Sequence, residues 1–271
     1  MAPYVATGTV LDRILRNTER DLRMRLAACP LAEMRRRADA ARPPRDMLSA
    51  LRRHDRVALI AEMKHASPSR GQFVTDFDPA RIAAAYERNG AAAISVLTDH
   101  KFFGGCLDDL IGARDVVQAP LLRKDFIIDP YQLYEARAAG ADAVLLIVAA
   151  LHDEQLSALH SLVRALGMAA LVEVHDEQEL ARAIAIAPAL VGINNRDLRT
   201  FDVDIERGRR MLKSVPAGVV TVAESGMLSA EDVRRQGAAG FDAVLVGEAL
   251  MTASDVPAAV RAFSGQPRRP R

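Results

Sequence analysis

From residue 58 onward, short apolar runs rich in Val, Ile and Leu alternate with Ala-, Arg- and Glu-rich stretches in which apolar positions recur at helical spacing. Alternation of this kind builds βα units on a parallel sheet. The apolar runs predict strands over 58–64, 93–97, 121–125, 143–148, 169–174, 190–194, 219–224 and 243–247. Eight strands close a (β/α)8 TIM barrel, and the chain of 271 residues is close to the roughly 250 that such barrels need. Helices fill gaps over 79–89, 130–139, 154–166, 177–187, 205–212 and 230–236, with Gly90, Gly140, Gly167 and Gly240 as natural stops. Residues 138–144 and 238–244 share the order Ala-Ala-Gly-x-Asp-Ala-Val, which predicts one kind of helix-to-strand turn used twice.

Ahead of the barrel, residues 10–37 are basic and amphipathic, with Leu11, Ile14, Leu15, Leu22 and Leu26 on one face. Such a segment needs an apolar surface to cover. The chain therefore divides into a helical extension over 1–54, packed on the barrel, a barrel over 55–264, and a disordered Pro- and Arg-rich tail over 265–271. Half the residues are apolar, enough for a substantial core. The 36 Lys and Arg against 35 Asp and Glu leave no general field for nucleic acid or an anionic membrane, so Arg35-Arg36-Arg37 reads as a solvated face. Cys29 and Cys106 stand far apart without metal or redox spacing, and no apolar run reaches membrane-spanning length. Together with the lack of a signal-peptide pattern over 1–15, these features predict a cytoplasmic protein with reduced thiols.

Barrel chemistry sits at the C-terminal ends of the strands, and ionisable residues fall there repeatedly. Glu62 and Lys64 end the first run, Lys124 the third, Glu173 the fifth, Asn194 the sixth, and Glu224 with Ser225 the seventh. Residues two apart on a strand share a face, so Glu62 and Lys64 are expected to lean into one mouth together. One charge at a strand end is ordinary rim exposure, but charges of both signs converging on one mouth point to proton chemistry. Lysines near carboxylates serve as general acids, and a lysine in such a mouth also suits a Schiff-base aldolase. Ser225-Gly226 and Gly247-Glu248 occupy the loops where such barrels bind phosphate. The six histidines show no metal-binding spacing, which assigns them surface or supporting roles, and no metal is expected. No dinucleotide or NTP motif follows a strand.

The motifs are more specific than the pattern. The segment Ile60-Ala61-Glu62-Met63-Lys64-His65-Ala66-Ser67-Pro68-Ser69-Arg70-Gly71 is followed in order by Leu122-Arg123-Lys124-Asp125-Phe126-Ile127, Leu171-Val172-Glu173-Val174-His175, Gly192-Ile193-Asn194-Asn195-Arg196, Ala223-Glu224-Ser225-Gly226 and Val246-Gly247-Glu248. This series resembles the indole-3-glycerol-phosphate synthase family from about Val10 to about Phe263. The resemblance implies decarboxylating and dehydrating ring closure of 1-(2-carboxyphenylamino)-1-deoxyribulose 5-phosphate by acid/base catalysis, with no cofactor. Its partners are then a phosphorylated small molecule and, transiently, neighbouring pathway enzymes.

By resemblance, Lys124 is the acid that protonates the ketone. Lys64 pairs with a substrate anion, and Glu173, with Glu62 as partner, stabilises positive charge on the anilino nitrogen and removes a proton. The division of labour in the dehydration stays open. Asn194 and Ser225 orient hydroxyls, Ser67 and Arg196 support anion binding, and Phe103 lies beside the anthranilate ring. Gly226, Gly247 and Glu248 receive the phosphate. The amphipathic extension is then expected over the barrel mouth. His65 and Gly104 depart from the pattern, where a second cation and an amide side chain are common. An aldolase using Lys124 as nucleophile and a barrel retained only for binding are the competing readings.

Overall fold

The computed structural model describes residues 4–53, 55–67, 71–73, 76–197, 200 and 202–271. Pro68, Ser69 and Arg70 of the first motif lie outside the described residues. Eight parallel strands close a barrel in which each strand neighbours the next: β1 (Ala58–Met63), β2 (Ala93–Leu97), β3 (Leu121–Lys124), β4 (Ala143–Ile147), β5 (Ala169–Val174), β6 (Leu190–Asn194), β7 (Val220–Glu224) and β8 (Ala243–Val246). Closure is made by β8 against β1, with Ala58 opposite Ala243. The predicted and observed strands agree to within a residue at every end.

Buried Ile60, Leu122, Leu171 and Val222 fill the barrel. Two residues further along the same strands stand Glu62, Lys124, Glu173 and Glu224, on the same face by the period of two. Each strand therefore delivers an apolar plug and then an ionisable group one step nearer the C-terminal mouth.

The basic segment at 10–37 is two helices rather than one. Helix α1 (Val10–Ala28) ends at Cys29, and α2 (Leu31–Ala40) begins after Pro30. Pro30 has no N–H to donate and disfavours helical backbone at the residue before it, and Cys29 is accordingly extended, at φ −137°. A short α3 (Met47–Leu51) follows. The extension starts at the mouth, where the Val5 N–H donates to the Ala150 carbonyl just beyond β4. It descends the flank, with α2 against α7 (Pro130–Ala138), and ends at the opposite rim. There the Arg45 N–H donates to Asp142, one residue before β4 begins, at 2.6 Å, and Met47 and Leu51 are buried in the main core. Only its first part is thus at the mouth.

The tail expected to fray is instead held down. The Val57 N–H donates to the Gln266 carbonyl, Arg268 N–H to Asp55, and Arg269 N–H to Gly237. The Arg268 guanidinium meets Asp242 at 2.6 Å. A basic tail finds a buried carboxylate and unpaired backbone at the bottom rim, and these outweigh its disorder-prone composition. Among the described residues no helix is long and apolar enough to cross a membrane.

Candidate active site

Lys124, the last residue of β3, reaches across the mouth to carboxylates on two other strands. Its Nζ lies 3.5 Å from Glu173 on β5 and 3.3 Å from Glu224 on β7. Lys64, just past β1, pairs with Glu62 at 3.0 Å and lies over the Phe73 ring. The register that brings these groups level is local. Leu97 sits opposite Lys124, Glu173 opposite Gly192, and Asn194 opposite Glu224. Glycine makes room for the carboxylates at two positions. A Cβ at Gly192 would collide with the Glu224 carboxylate, and one at Gly247 with that of Glu62.

Burial weighs most heavily on each group of the cluster, and the neighbours decide the outcome. For Lys124 burial opposes the charge, but Glu224, Glu173 and Glu62 outweigh it and hold the ammonium well above the usual lysine range. For Glu224 burial and the adjacent Glu173 charge act together, and its carboxyl is pushed up to about 8. Glu173 is held well below the usual range, because Lys124 and His175 overcome the burial cost. The opposite directions favour the proton of the pair on Glu224 and the charge on Glu173. An ammonium, a carboxylate and a carboxylic acid then face one small volume, the set that acid/base catalysis on a carbonyl needs.

The remaining expected residues occupy the rim. The Ser225 hydroxyl donates to Asn194 Oδ1 at 2.8 Å, and the Arg196 N–H donates to the same oxygen at 3.1 Å. Ser225 adopts φ 62°, a left-handed conformation that a residue with a side chain avoids; strain of this kind collects at functional sites. Gly226 follows at φ 87°. Glu248 opens the four-residue helix α12 (Glu248–Met251), with Gly247 as its N-cap. Phe103 lies at the end of α5 (His100–Phe103), its ring 6.0 Å from that of Phe126. Ser67 pairs with Gly71 in a small ladder after β1, and Arg196 pairs with Val203 after β6. These two are on the loops of different strands. Among the described residues no group of three or more His, Cys, Asp or Glu side chains is placed to hold a metal ion.

Two residues of the cluster lie outside the catalytic set that the sequence predicts. Glu224 had the right signal, an ionisable group at the end of an apolar run, but nothing in the sequence says that it shares Lys124 with Glu173. For His175 the lack of metal spacing predicts a surface or supporting role; it is buried, and its Nε2 lies 3.3 Å from Glu173. Its position two residues after Glu173 on the same face was the available signal.

A closed parallel barrel with a proton-handling cluster at the C-terminal ends of its strands defines a TIM-barrel enzyme. Solved structures extend that class without narrowing it. The chain superposes on N-acetylmannosamine-6-phosphate 2-epimerase from Clostridium perfringens with a TM-score of 0.58 at 16% identity, covering 76% of this chain and 90% of that one. It superposes on thiamine phosphate pyrophosphorylase from Pyrococcus furiosus with a TM-score of 0.58 at 17% identity, covering 80% and 96%. Likeness at this level speaks for the fold alone.

Sequence comparison goes further. Residues 11–263 match the model of the family described as indole-3-glycerol phosphate synthase. The indole-3-glycerol phosphate synthase of Roseiflexus sp. (strain RS-1) is 51% identical over 265 residues, 95% of this chain and 98% of that protein. That of Mycolicibacterium gilvum is 48% identical over 256 residues, 94% of each. The chain belongs to the indole-3-glycerol phosphate synthase family.

Proposed function

We propose that the mouth converts 1-(2-carboxyphenylamino)-1-deoxyribulose 5-phosphate to indole-3-glycerol phosphate, with Lys124 as the acid of the first step. The observation that carries this reading is the Lys124 ammonium between Glu173 and Glu224. In the condensation, the ring carbon that bears the carboxylate bonds to the ketone carbon, and Lys124 gives its proton to the ketone oxygen. The bond to the carboxylate then breaks, releasing carbon dioxide and returning its electron pair to the ring. In the dehydration a base takes a proton from the carbon beside nitrogen while the new hydroxyl leaves as water. Glu173, held ionised, suits the base. Glu224, pushed up to about 8 and so mostly protonated at neutral pH, suits the acid that protonates the departing hydroxyl.

Lys64 on Phe73, tethered by Glu62, is assigned to a substrate anion. Ser67 and Arg196 are assigned to the same task, and Phe103 to the aromatic ring. Asn194 and Ser225, already bonded to each other, are assigned to the sugar hydroxyls, and Gly226, Gly247 and Glu248 to the phosphate. Holding both ends of a flexible substrate at once brings the reacting carbons together, which is worth several kcal/mol of barrier. A Schiff-base route needs Lys124 as a free amine, and the acidic side chains of Glu224, Glu173 and Glu62 around it disfavour that form. The unpaired Cys29 and Cys106 support a reducing, cytoplasmic setting.

The test is a fluorescence time course with the purified protein and this substrate, since the chain has no Trp to mask a new indole. Indole emission is expected to grow, and Lys124→Ala is expected to slow it by roughly 10²–10⁴-fold with the fold intact. Near-normal turnover in that variant would remove Lys124 from its role. Saturable binding without turnover in the wild type would favour a binding protein.

A further inference from the structure

Glu173 and Glu224 stand in similar places. Both are buried, both end barrel strands, and both lie within 3.5 Å of the Lys124 ammonium. Two carboxylates sharing one cation at this range do not both ionise, so something must settle which keeps the proton. The asymmetry lies on one side only. His175 Nε2 approaches Glu173 Oε1 at 3.3 Å, while His175 Nδ1 lies 3.0 Å from Glu179 Oε2. Nε2 makes no hydrogen bond in this geometry, so its contact with Glu173 is one of charge, and a carboxylate beside each nitrogen favours the ring as imidazolium.

Short-range sequence builds this device. Glu173 and His175 share a strand face, and α9 (Glu177–Ala185) starts directly afterwards. Asp176 caps α9 by accepting the Glu179 N–H at 2.8 Å. That turns the Glu179 carboxylate back to accept the His175 N–H, also at 2.8 Å. We infer that His175, held by Glu179, is a positioning residue that keeps Glu173 ionised and so leaves the proton of the pair on Glu224.

The inference rests on the proposed roles of Glu173 and Glu224. The charged groups around Glu173 are Lys124 from β3, Glu224 from β7 and His175 itself, with Glu62 of β1 acting through Lys124. Around His175 stand Glu173, Glu179 and the neighbouring Asp176. Arg207 of α10 (Ile205–Leu212) donates to the His175 carbonyl at 3.4 Å and faces Asp197 at 3.6 Å. Lys124, across Glu173, and Arg207 are cations on the imidazolium's two sides, each offset by a carboxylate of its own, Glu224 and Asp197. The balance agrees with the geometry: burial works against the His175 charge, and Glu173 with Glu179 overcomes it and pushes the ring up to about 10.

Two variants separate charge from packing. His175→Gln keeps a polar side chain of similar reach without the positive charge, and Glu179→Gln removes the carboxylate that holds the imidazolium. Both are followed by kcat and KM across pH and by thermal unfolding. In His175→Gln the acid limb of the kcat profile is expected to move up by about one pH unit or more, so that the loss in kcat grows as the pH falls, with KM within about twofold. Glu179→Gln is expected to move the limb in the same direction by less. An unmoved limb in both variants, or a change confined to KM, would overturn the inference. If His175→Gln fails to fold, Glu179→Gln decides alone on the same criterion.

A readout independent of turnover is nitrogen NMR of the wild-type imidazole. A doubly protonated ring at about pH 8 is expected, and a neutral tautomer there overturns the inference even in an active enzyme. A wild-type protein that shows the doubly protonated ring and no turnover would count against the reaction assigned to the site and not against the His175 arrangement.

Discussion

At the scale of single residues, the site is a distribution of protons, and that makes its pH behaviour predictable. Glu224 is pushed up to about 8 from an ordinary 4.5 by burial and by Glu173. Between those two values the native state keeps a proton that the unfolded chain has lost. The contribution of Glu224 to stability is therefore full below about pH 4.5 and fades as the pH rises through about 8. Glutamine, neutral throughout, abolishes that fading. The stability of Glu224→Gln relative to the wild type is expected to rise from about pH 5 to about pH 8 and then level off, as measured by denaturant unfolding at matched pH values. A difference constant across that range would mean that Glu224 is ionised in the native state. Turnover in the same variant is expected to fall by roughly 10²-fold or more, since the proton for the leaving hydroxyl is gone. That ionisable side chains gather at one mouth is legible for Glu62, Lys64, Lys124 and Glu173, because a charge ending an apolar run is visible in sequence. The sharing of one proton between Glu173 and Glu224 is not, because it depends on a distance across the barrel between groups far apart in the chain.

At the scale of elements, the strand ends are positioned by what lies behind them and opposite them. Arg123, fully buried on the outer face of β3, binds Asp125 at 2.7 Å and Glu135 of α7 at 2.9 Å, and donates to the Gln132 carbonyl. Arg25 of α1 reaches the same Glu135 at 2.6 Å. One guanidinium therefore ties β3, whose next residue is Lys124, to the helix that follows and, through Glu135, to the extension. Arg123→Ala leaves two buried carboxylates short of a partner and is expected to cost about 3–5 kcal/mol in unfolding free energy, measured by denaturant titration. Across the mouth, Gly192→Ala places a methyl against the Glu224 carboxylate. It is expected to cost about 1–3 kcal/mol through overpacking and to depress kcat, and Glu224→Asp in the same chain should recover stability without recovering activity. Apolar runs made the eight strands readable almost residue by residue, since a buried parallel strand has little freedom in composition. The helices were less so. Helices α6 (Leu107–Val116) and α13 (Val256–Ser264) are not among those the sequence pattern predicts. In α6 the run Leu107-Asp108-Asp109-Leu110-Ile111-Gly112 spreads its apolar residues around the helix, and Ile111 remains exposed.

At the scale of the whole molecule, the two ends of the barrel carry different duties. The mouth holds chemistry, and the opposite rim holds the chain together with a device used twice. In the repeated Ala-Ala-Gly-x-Asp-Ala-Val segments, Asp142 accepts the Leu121 N–H at 2.7 Å, and Asp242 accepts the Thr221 N–H at 2.9 Å. Each aspartate thus ties the start of its own strand to the strand before it. Each is also neutralised from outside the βα units, Asp142 by Arg114 at 2.8 Å and Asp242 by Arg268 of the tail at 2.6 Å. The repeat was visible in sequence as a turn, but the arginines that complete it come from distant places, one of them in a segment whose composition predicts disorder. Removal of residues 266–271 should therefore act as a stability lesion and not as a catalytic one. It takes away the partner of Asp242 and the backbone bonds to Val57, Asp55 and Gly237, leaving a buried carboxylate whose remaining bonds are to Thr221. A loss of about 2–4 kcal/mol is expected, with a lower midpoint in thermal unfolding. Below that midpoint kcat and KM should be unchanged, because the cut is at the rim remote from Lys124. A truncated chain with altered kcat at full folding would show that the lower rim sets the geometry of the mouth, and the separation of duties between the two ends would fail.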